Sequence, residues 1–309
     1  MSTSKKTFFF GEDHLSAGLA LGLTRGTIHG QISEKARKRI RASNNAVACI
    51  VERGKVVYGI NTGFGPLCTT KISKTETNIL QNNILQSHSV GVGEPIENEI
   101  AKLMLVLKVH SLAKGCSGIA EATLDRIIWH IDNDAIPIVP SQGSVGASGD
   151  LAPLSHLFLP LIGMGKVRYI KKVISTEQLH KIYGLQPLEL GPKEGLALIN
   201  GTQFIAAHAV MVIDKMYACL THADIIGAMM IEGLQDSVKP FYKELHDLRP
   251  FKGNSHVAAK IRFLLKDSEI MQDHIDCEKV QDPYSLRCIP QVHGASRNAW
   301  LHLKELLEI

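Results

Sequence analysis

The chain has 309 residues, 45% of them apolar and 21% charged, with a formal net charge of +4. That length buries a sizeable core and holds one or two domains, and the composition is that of a globular chain rather than a disordered or fibrous one. The charge is too small to imply a nucleic-acid partner, no run is long and charge-free enough to suggest a bilayer span, and the apolar run Phe8-Phe9-Phe10 is too short for a signal peptide.

In chain order, the basic cluster from Lys35 to Arg41 reads as a solvated helix face. Val56, Val57 and Tyr58 read as a short strand ahead of a loop holding Gly59, Gly63 and Gly65. Ser73 and Glu76 have capping-box spacing and open a helix carrying Ile79, Leu80, Ile84 and Leu85, with His88 on the face of the last two. Ile100, Leu103, Met104 and Leu107 recur at helical spacing, and Ile119, Ile127, Ile128 and Ile131 do so more loosely. The stretch from Ala135 to Pro140 reads as extended, and a hairpin begins at Lys166. From Thr202 to about Gln235 there is no proline, which predicts one helix of some thirty residues, roughly 50 Å long. It is apolar around much of its circumference and must be surrounded by other helices. This chain supplies few, which points to oligomerisation, to further sequence, or to both. A composition shift near Lys114 divides a mixed region, 1–114, from a helical remainder, 115–309, and the chain stops inside an amphipathic helix. The cysteines at Cys49, Cys68, Cys116, Cys219, Cys277 and Cys288 show neither disulfide nor metal spacing, so free thiols in a reducing cytoplasm, and no metal, are expected.

The chemistry concentrates in the run from Gly143 to Leu154, at Ala147-Ser148-Gly149. The Gly149 amide nitrogen can attack the Ala147 carbonyl carbon and close a five-membered ring. Loss of two waters, one of them carrying the Ser148 hydroxyl, leaves an exocyclic methylidene. Alanine keeps the attacked carbonyl uncrowded, serine supplies the leaving hydroxyl, and glycine has no Cβ to bar the approach. The ring is a carbon electrophile that no standard side chain provides. The tripeptide alone also fits a plain turn. A serine-hydrolase elbow with Ser148 as nucleophile fits poorly, because the second glycine comes one residue early. A phosphate loop lacks its following Gly-Lys-Ser/Thr.

This run resembles the signature of the aromatic amino acid ammonia-lyases, whose prosthetic group is methylidene-imidazolone (MIO). Matching segments run from Tyr58 to Gly65, Gln86 to Gly93, Lys193 to Gln203 and Gln281 to Cys288, in family order over nearly the whole chain. Within the family the likeness is strongest to the histidine-acting members. It implies a mainly α fold, a long-helix bundle of the aspartase/fumarase-like type with a smaller mixed N-terminal domain. It also implies an MIO group made from Ala147, Ser148 and Gly149 with no dissociable cofactor, a small amino acid substrate, and a homotetramer with shared sites.

Each site residue has a plainer reading beside the implied one. Tyr58 reads as a strand-end ring; the resemblance makes it the general base, for which its ordinary pKa of about 10 must fall. His88 reads as a satisfied core histidine; with Ser87 it stands where the family reads the substrate side chain, and an imidazole suits an imidazole substrate. Asn200 reads as an N-cap of the long helix; the family's asparagine contacts the ring or the substrate carboxylate. Gln281, Tyr284 and Arg287 fall at i, i+3 and i+6, and Pro283 suggests a loop or helix start. The resemblance gives Arg287 a bidentate grip on the carboxylate, Tyr284 a hydrogen bond near the ring, and Gln281 a part in orienting the substrate. Asp150 is read as structural, holding the strained loop, and His156 as packing. The expected reaction is elimination of ammonia from histidine. The alternatives are a non-catalytic fragment of such a lyase, or a tyrosine or phenylalanine ammonia-lyase or aminomutase.

Overall fold

The computed structural model describes residues 7–63, 72, 74–144, 149–274 and 279–309. It is mainly helical and divides into two compact units, Met1–Ala209 and Val210–Ile309. The boundary expected at 114/115 falls inside the first unit. The Lys114 to Gly118 segment there is a turn joining two helices that pack on each other, so a shift in composition marks a change of element rather than of unit.

The first unit contains β1 (Thr7–Phe9), α1 (Ala17–Thr24), β2 (His29–Gln31), α2 (Glu34–Glu52), α3 (Lys74–His88), β3 (Val92–Pro95), α4 (Asn98–Leu112) and α5 (Glu121–Asp132). It continues with β4 (Ile136–Pro137), β5 (Pro140–Gln142), α6 (Leu151–Phe158), β6 (Lys166–Tyr169), β7 (Lys172–Ser175), α7 (Thr176–Tyr183) and α8 (Glu194–Ile199). Ser16 and Ser33 cap α1 and α2 through hydrogen bonds from Leu19 and Ala36 N–H. At the centre lies α4, buried at Ile100, Ala101, Leu103, Met104, Leu105, Val106 and Val109, with α1, α5 and β4 packed on it. The expected hairpin is β6–β7, whose turn residues Ile170 and Lys171 both have positive φ. The basic cluster lies on α2 and is ion-paired, Arg37 with Asp125 at 2.8 Å and Arg41 with Glu121 at 3.0 Å. The expected strand at Val56 to Tyr58 is instead a turn. The Asn61 side chain accepts from Val57 N–H and donates to Lys55 C=O, both at 2.9 Å, so local bonds use the groups a sheet partner would need. Ser73, the expected capping residue of α3, lies outside the described residues.

The long helix forms as expected, as α9 (Gln203–Gly233), 31 residues, with the unit boundary inside it. In the second unit it is followed by α10 (Lys243–Asp247), α11 (Lys252–Leu264), α12 (Glu269–Asp273), α13 (Tyr284–Arg287) and α14 (Ile289–Leu307). Ala228 and Ile231 of α9 join Val257, Ala258 and Ile261 of α11 and Ile289 of α14 in one core. Asp224, fully buried on α9, pairs with Arg297 at 2.6 Å and His293 at 3.1 Å, and Trp300 Nε1 donates to the Ile213 carbonyl at 2.9 Å. The helix leaves Val212, Tyr217, Ile226 and Met229 more than half exposed, so the shortage of partners read from the sequence is real. Contrary to expectation, α9 is long and apolar enough to cross a membrane by length and composition alone. In the second unit its Asp224 is ion-paired and its Ile231 lies in a core.

Helices α11 and α14 touch where Gly253 meets Gly294, and a Cβ on Gly294 would lie 2.6 Å from the Asn254 backbone nitrogen. Backbone cannot yield as a flexible side chain does. Gly294→Ala is therefore expected to destabilise the second unit by about 1–3 kcal/mol, read as a lowered midpoint in denaturant unfolding.

Candidate active site

Asp150 joins two distant segments. Its carboxylate is fully buried and accepts from the Ser144 hydroxyl at 2.7 Å and from the Phe204 and Ile205 N–H groups at 3.0 and 3.1 Å. Those amides are orphan donors in the first turn of α9, so a carboxylate at the start of α6 caps a different helix, at the positive end of its dipole. The Asp150 N–H in turn donates to Gly201 C=O at 2.8 Å, and Gly149 pairs with Gly201 as a parallel β-bridge. Gly149 sits at φ +87°, where a Cβ would overlap the Gly201 carbonyl oxygen. Only glycine allows this approach. Ala147 and Ser148 lie outside the described residues. The Gly149 and Gly201 backbones touch where a side chain on Gly149 would otherwise stand.

Asn200 is not the N-cap of α9. It ends α8, its N–H donating to Leu196 C=O at 3.0 Å, and Gly201 and Thr202 intervene before α9 starts. The capping task has passed to Asp150, which leaves the Asn200 side chain exposed. Helices α3, α6 and α8 pack against one another and so gather the segments the sequence singled out. Gly195 N–H donates to Gln81 Oε1 at 3.0 Å, locking α8 to α3, and Glu194 is buried with hydrogen bonds from Ala120 N–H, the Thr123 hydroxyl and Gly191 N–H. Gly59, beside Tyr58, packs on Leu196 at φ +75°. Tyr58 is itself 57% exposed, on a turn over α8.

At the C-terminal end of α3, His88 Nδ1 lies 2.9 Å from the Ile84 carbonyl and 3.1 Å from Ser87 Oγ. A carbonyl can only accept, so Nδ1 carries a proton, which makes Nε2 the acceptor whenever the ring is neutral. The loop after His88 is held by His156 of α6, whose Nε2 accepts from Gly91 N–H at 3.0 Å; burial pushes its pKa down and favours that neutral form.

Within the second unit, Gln281, Tyr284 and Arg287 come together at the start of α13. With its amide turned so that the oxygen faces the guanidinium, the only orientation that satisfies both groups, Gln281 accepts from both Arg287 Nη atoms, at 3.0 and 2.9 Å. Arg287 Nε donates to Asp282 C=O at 2.9 Å, and the guanidinium carbon is 5.6 Å from the centre of the Tyr284 ring. The fork, whose geometry suits a carboxylate, is thus taken by Gln281.

Sequence reasoning missed Lys108. It lies on α4, four residues after Met104 and seven after Ala101, so the signal was a charge inside an apolar helical stripe. It is 2% exposed, its Nζ donates to Asn200 C=O at 2.7 Å, and among the described residues no carboxylate pairs with it. Burial pushes its pKa down to about 7.

A family model described as aromatic amino acid lyase matches residues 16–309. Histidine ammonia-lyase of Myxococcus xanthus is 43% identical over 297 residues, covering 96% of this chain and 58% of the relative. The same-named enzyme of Idiomarina loihiensis is 44% identical over 278 residues, covering 90% and 54%. Among solved structures, histidine ammonia-lyase from Trypanosoma cruzi aligns with a TM-score of 0.84 at 34% identity, over 98% of this chain and 57% of that one. Tyrosine aminomutase from Streptomyces globisporus aligns with a TM-score of 0.87 at 30% identity, over 98% and 60%. The chain spans a little over half the length of the curated relatives it matches.

Two outcomes follow from these bonds. Asp150→Ala strips three donors of their acceptor and is expected to cost about 2–3 kcal/mol, measured by denaturant unfolding. The folded pKa of Lys108 lies below its ordinary value of 10.5, so the unfolded chain binds more protons between the two. The lysine's cost is full below about pH 7 and is relieved as the pH rises toward 10. Lys108→Met removes it, so the stability of the variant relative to the parent should be highest at pH 6 and fall by a few kcal/mol by pH 10, at roughly 1.4 kcal/mol per unit of pKa displacement.

Proposed function

Because the chain belongs to the aromatic amino acid lyase family, we propose that it serves a histidine ammonia-lyase, which eliminates ammonia from L-histidine to give urocanate. The observation that carries this reading is Gly149, the last residue of Ala147-Ser148-Gly149, held at positive φ against the Gly201 carbonyl where no Cβ would fit. The family's prosthetic group, MIO, would be held by these three residues and supplies an electrophile that turns the substrate amine into a leaving group.

The chain's own residues take the other tasks. Arg287 grips the substrate carboxylate after exchanging the neutral Gln281 amide for a charged acceptor, the stronger partner. Gln281, once released, is free to orient the substrate, and Tyr284 hydrogen-bonds beside it. Tyr58 Oη takes a proton from the substrate β carbon; the electrons of that C–H bond become the new double bond as the C–N bond breaks. His88 Nε2 accepts from the N–H of a substrate imidazole, a partner that phenylalanine lacks, and Asn200 contacts the ring or the carboxylate. The same proposal places the protein in the cytoplasm, where Cys49, Cys116, Cys219 and Cys288 stay reduced, and makes the complete enzyme a homotetramer that covers the apolar face of α9. The higher identity to histidine ammonia-lyases, 43–44% against 30% for a tyrosine aminomutase, supports deamination over the alternative 2,3-aminomutase reading, which a β-amino acid among the products would identify.

The full natural protein is expected to be lighter than its encoded chain by two waters and to release urocanate. Ser148→Ala should keep the encoded mass and lose roughly 10³-fold or more in turnover. An unmodified mass in the parent protein, with no urocanate formed, would sink the proposal. His88→Leu should lower kcat/KM for histidine about 10²-fold while improving phenylalanine relative to it; unchanged discrimination in steady-state kinetics would remove His88 as the specificity residue.

A further inference from the structure

Lysine 108 has no evident place in the economy of the fold. Its neighbours on α4, Met104, Leu105 and Val109, are all buried and apolar. A methionine of similar length would fill the same space without bringing a charge in from water, and such replacements are usually neutral or stabilising. The desolvation penalty is real here, since burial alone pushes the amine down to about 7. What the lysine gains is one bond, from Nζ to the carbonyl of Asn200, 92 positions along the chain.

That carbonyl has a particular neighbour. Asn200 and Gly201 are the segment laid against Gly149, with the Gly201 carbonyl taking the Asp150 N–H at 2.8 Å. Asp150 fixes one end of this contact through the first turn of α9. Lys108 fixes the other from α4, among the buried side chains of Met104, Leu105 and Val109. We propose that Lys108 is a positioning residue for ring formation, its Nζ holding the Asn200 carbonyl so that Gly201 stays pressed against Gly149. The inference rests on the lyase reading above. In the step it serves, a bond forms between Gly149 N and Ala147 C. The Ala147 oxygen leaves as water with the hydrogens of the Gly149 and Ser148 N–H groups, and the Ser148 hydroxyl leaves as a second water with the Cα hydrogen. No oxidant or other reactant is needed. Without the lysine the Asn200–Gly201 segment can relax away from Gly149, whose nitrogen is then held less firmly for the attack.

The test is the intact mass of the full natural protein, purified as parent, Lys108→Met, Lys108→Arg and Ser148→Ala. The parent should be almost wholly lighter by two waters. In K108M the cyclised fraction should fall at least tenfold, while K108R, which still donates to the carbonyl, should recover most of it. The melting temperature of K108M at pH 7 should be no lower than that of S148A, which cannot cyclise. A K108M protein as fully cyclised as the parent overturns the proposal. So does one that melts well below S148A or fails to fold, because the lysine would then be a structural element. A parent without the mass loss defeats the lyase reading itself, a different result from either.

Discussion

The buried carboxylate of Asp150 is the interaction on which the candidate site depends. A charge with no exposure is tolerable only when its lone pairs are filled, and here a hydroxyl and two helix-terminal amides fill them. The amides belong to the first turn of a 31-residue helix, so the loop is referenced to one of the longest rigid elements in the chain. The arrangement also explains why Asp150 can open α6 yet make no side-chain cap to it: its oxygens are already committed elsewhere.

The second constraint is steric. Gly149 and Gly201 approach each other more closely than any residue with a Cβ could, and the backbone bond from Asp150 to Gly201 holds them there. The helices around this contact are themselves locked by buried polar bonds, Gln81 to Gly195 and Glu194 to three donors on two segments. Buried polar bonds of this kind favour one arrangement over several, because any other leaves their donors unpaired. Gly149 is therefore held at its positive φ by bonds that any movement away from Gly201 would have to break.

Much of this was legible in the sequence, and the failures have physical causes. The long helix, the hairpin and the helix ending at His88 followed from apolar periodicity and breakers, which are local signals. The structural role of Asp150 followed from its place beside a strained tripeptide. The strand assigned to Val56 to Tyr58 failed because β-branched residues say nothing of whether a partner strand exists, and Asn61 claimed the backbone groups first. Asn200 was read as a cap because caps are usually supplied from the adjacent sequence, whereas here the capping group arrives from 54 residues away. Lys108 was overlooked for the same reason: its partner is 92 residues distant, and a lysine in an apolar stripe reads as one that snorkels to water.

The plain and the functional readings of these side chains turn out to depend on one another. His88 is a satisfied histidine at Nδ1, and that satisfaction is what leaves Nε2 as a defined acceptor instead of a ring that could offer either nitrogen. Arg287 is likewise satisfied, at Nε by the Asp282 carbonyl and at its fork by Gln281. The first bond sets the plane of the guanidinium. The second is the weaker, since a neutral amide oxygen competes poorly with a carboxylate for two charged donors. A guanidinium without ligand would stay solvated and mobile, and each carboxylate it bound would carry the cost of ordering it. If Arg287 grips the substrate carboxylate as proposed, Gln281 is a stand-in that orders the guanidinium beforehand, and binding is an exchange of one acceptor for a better one.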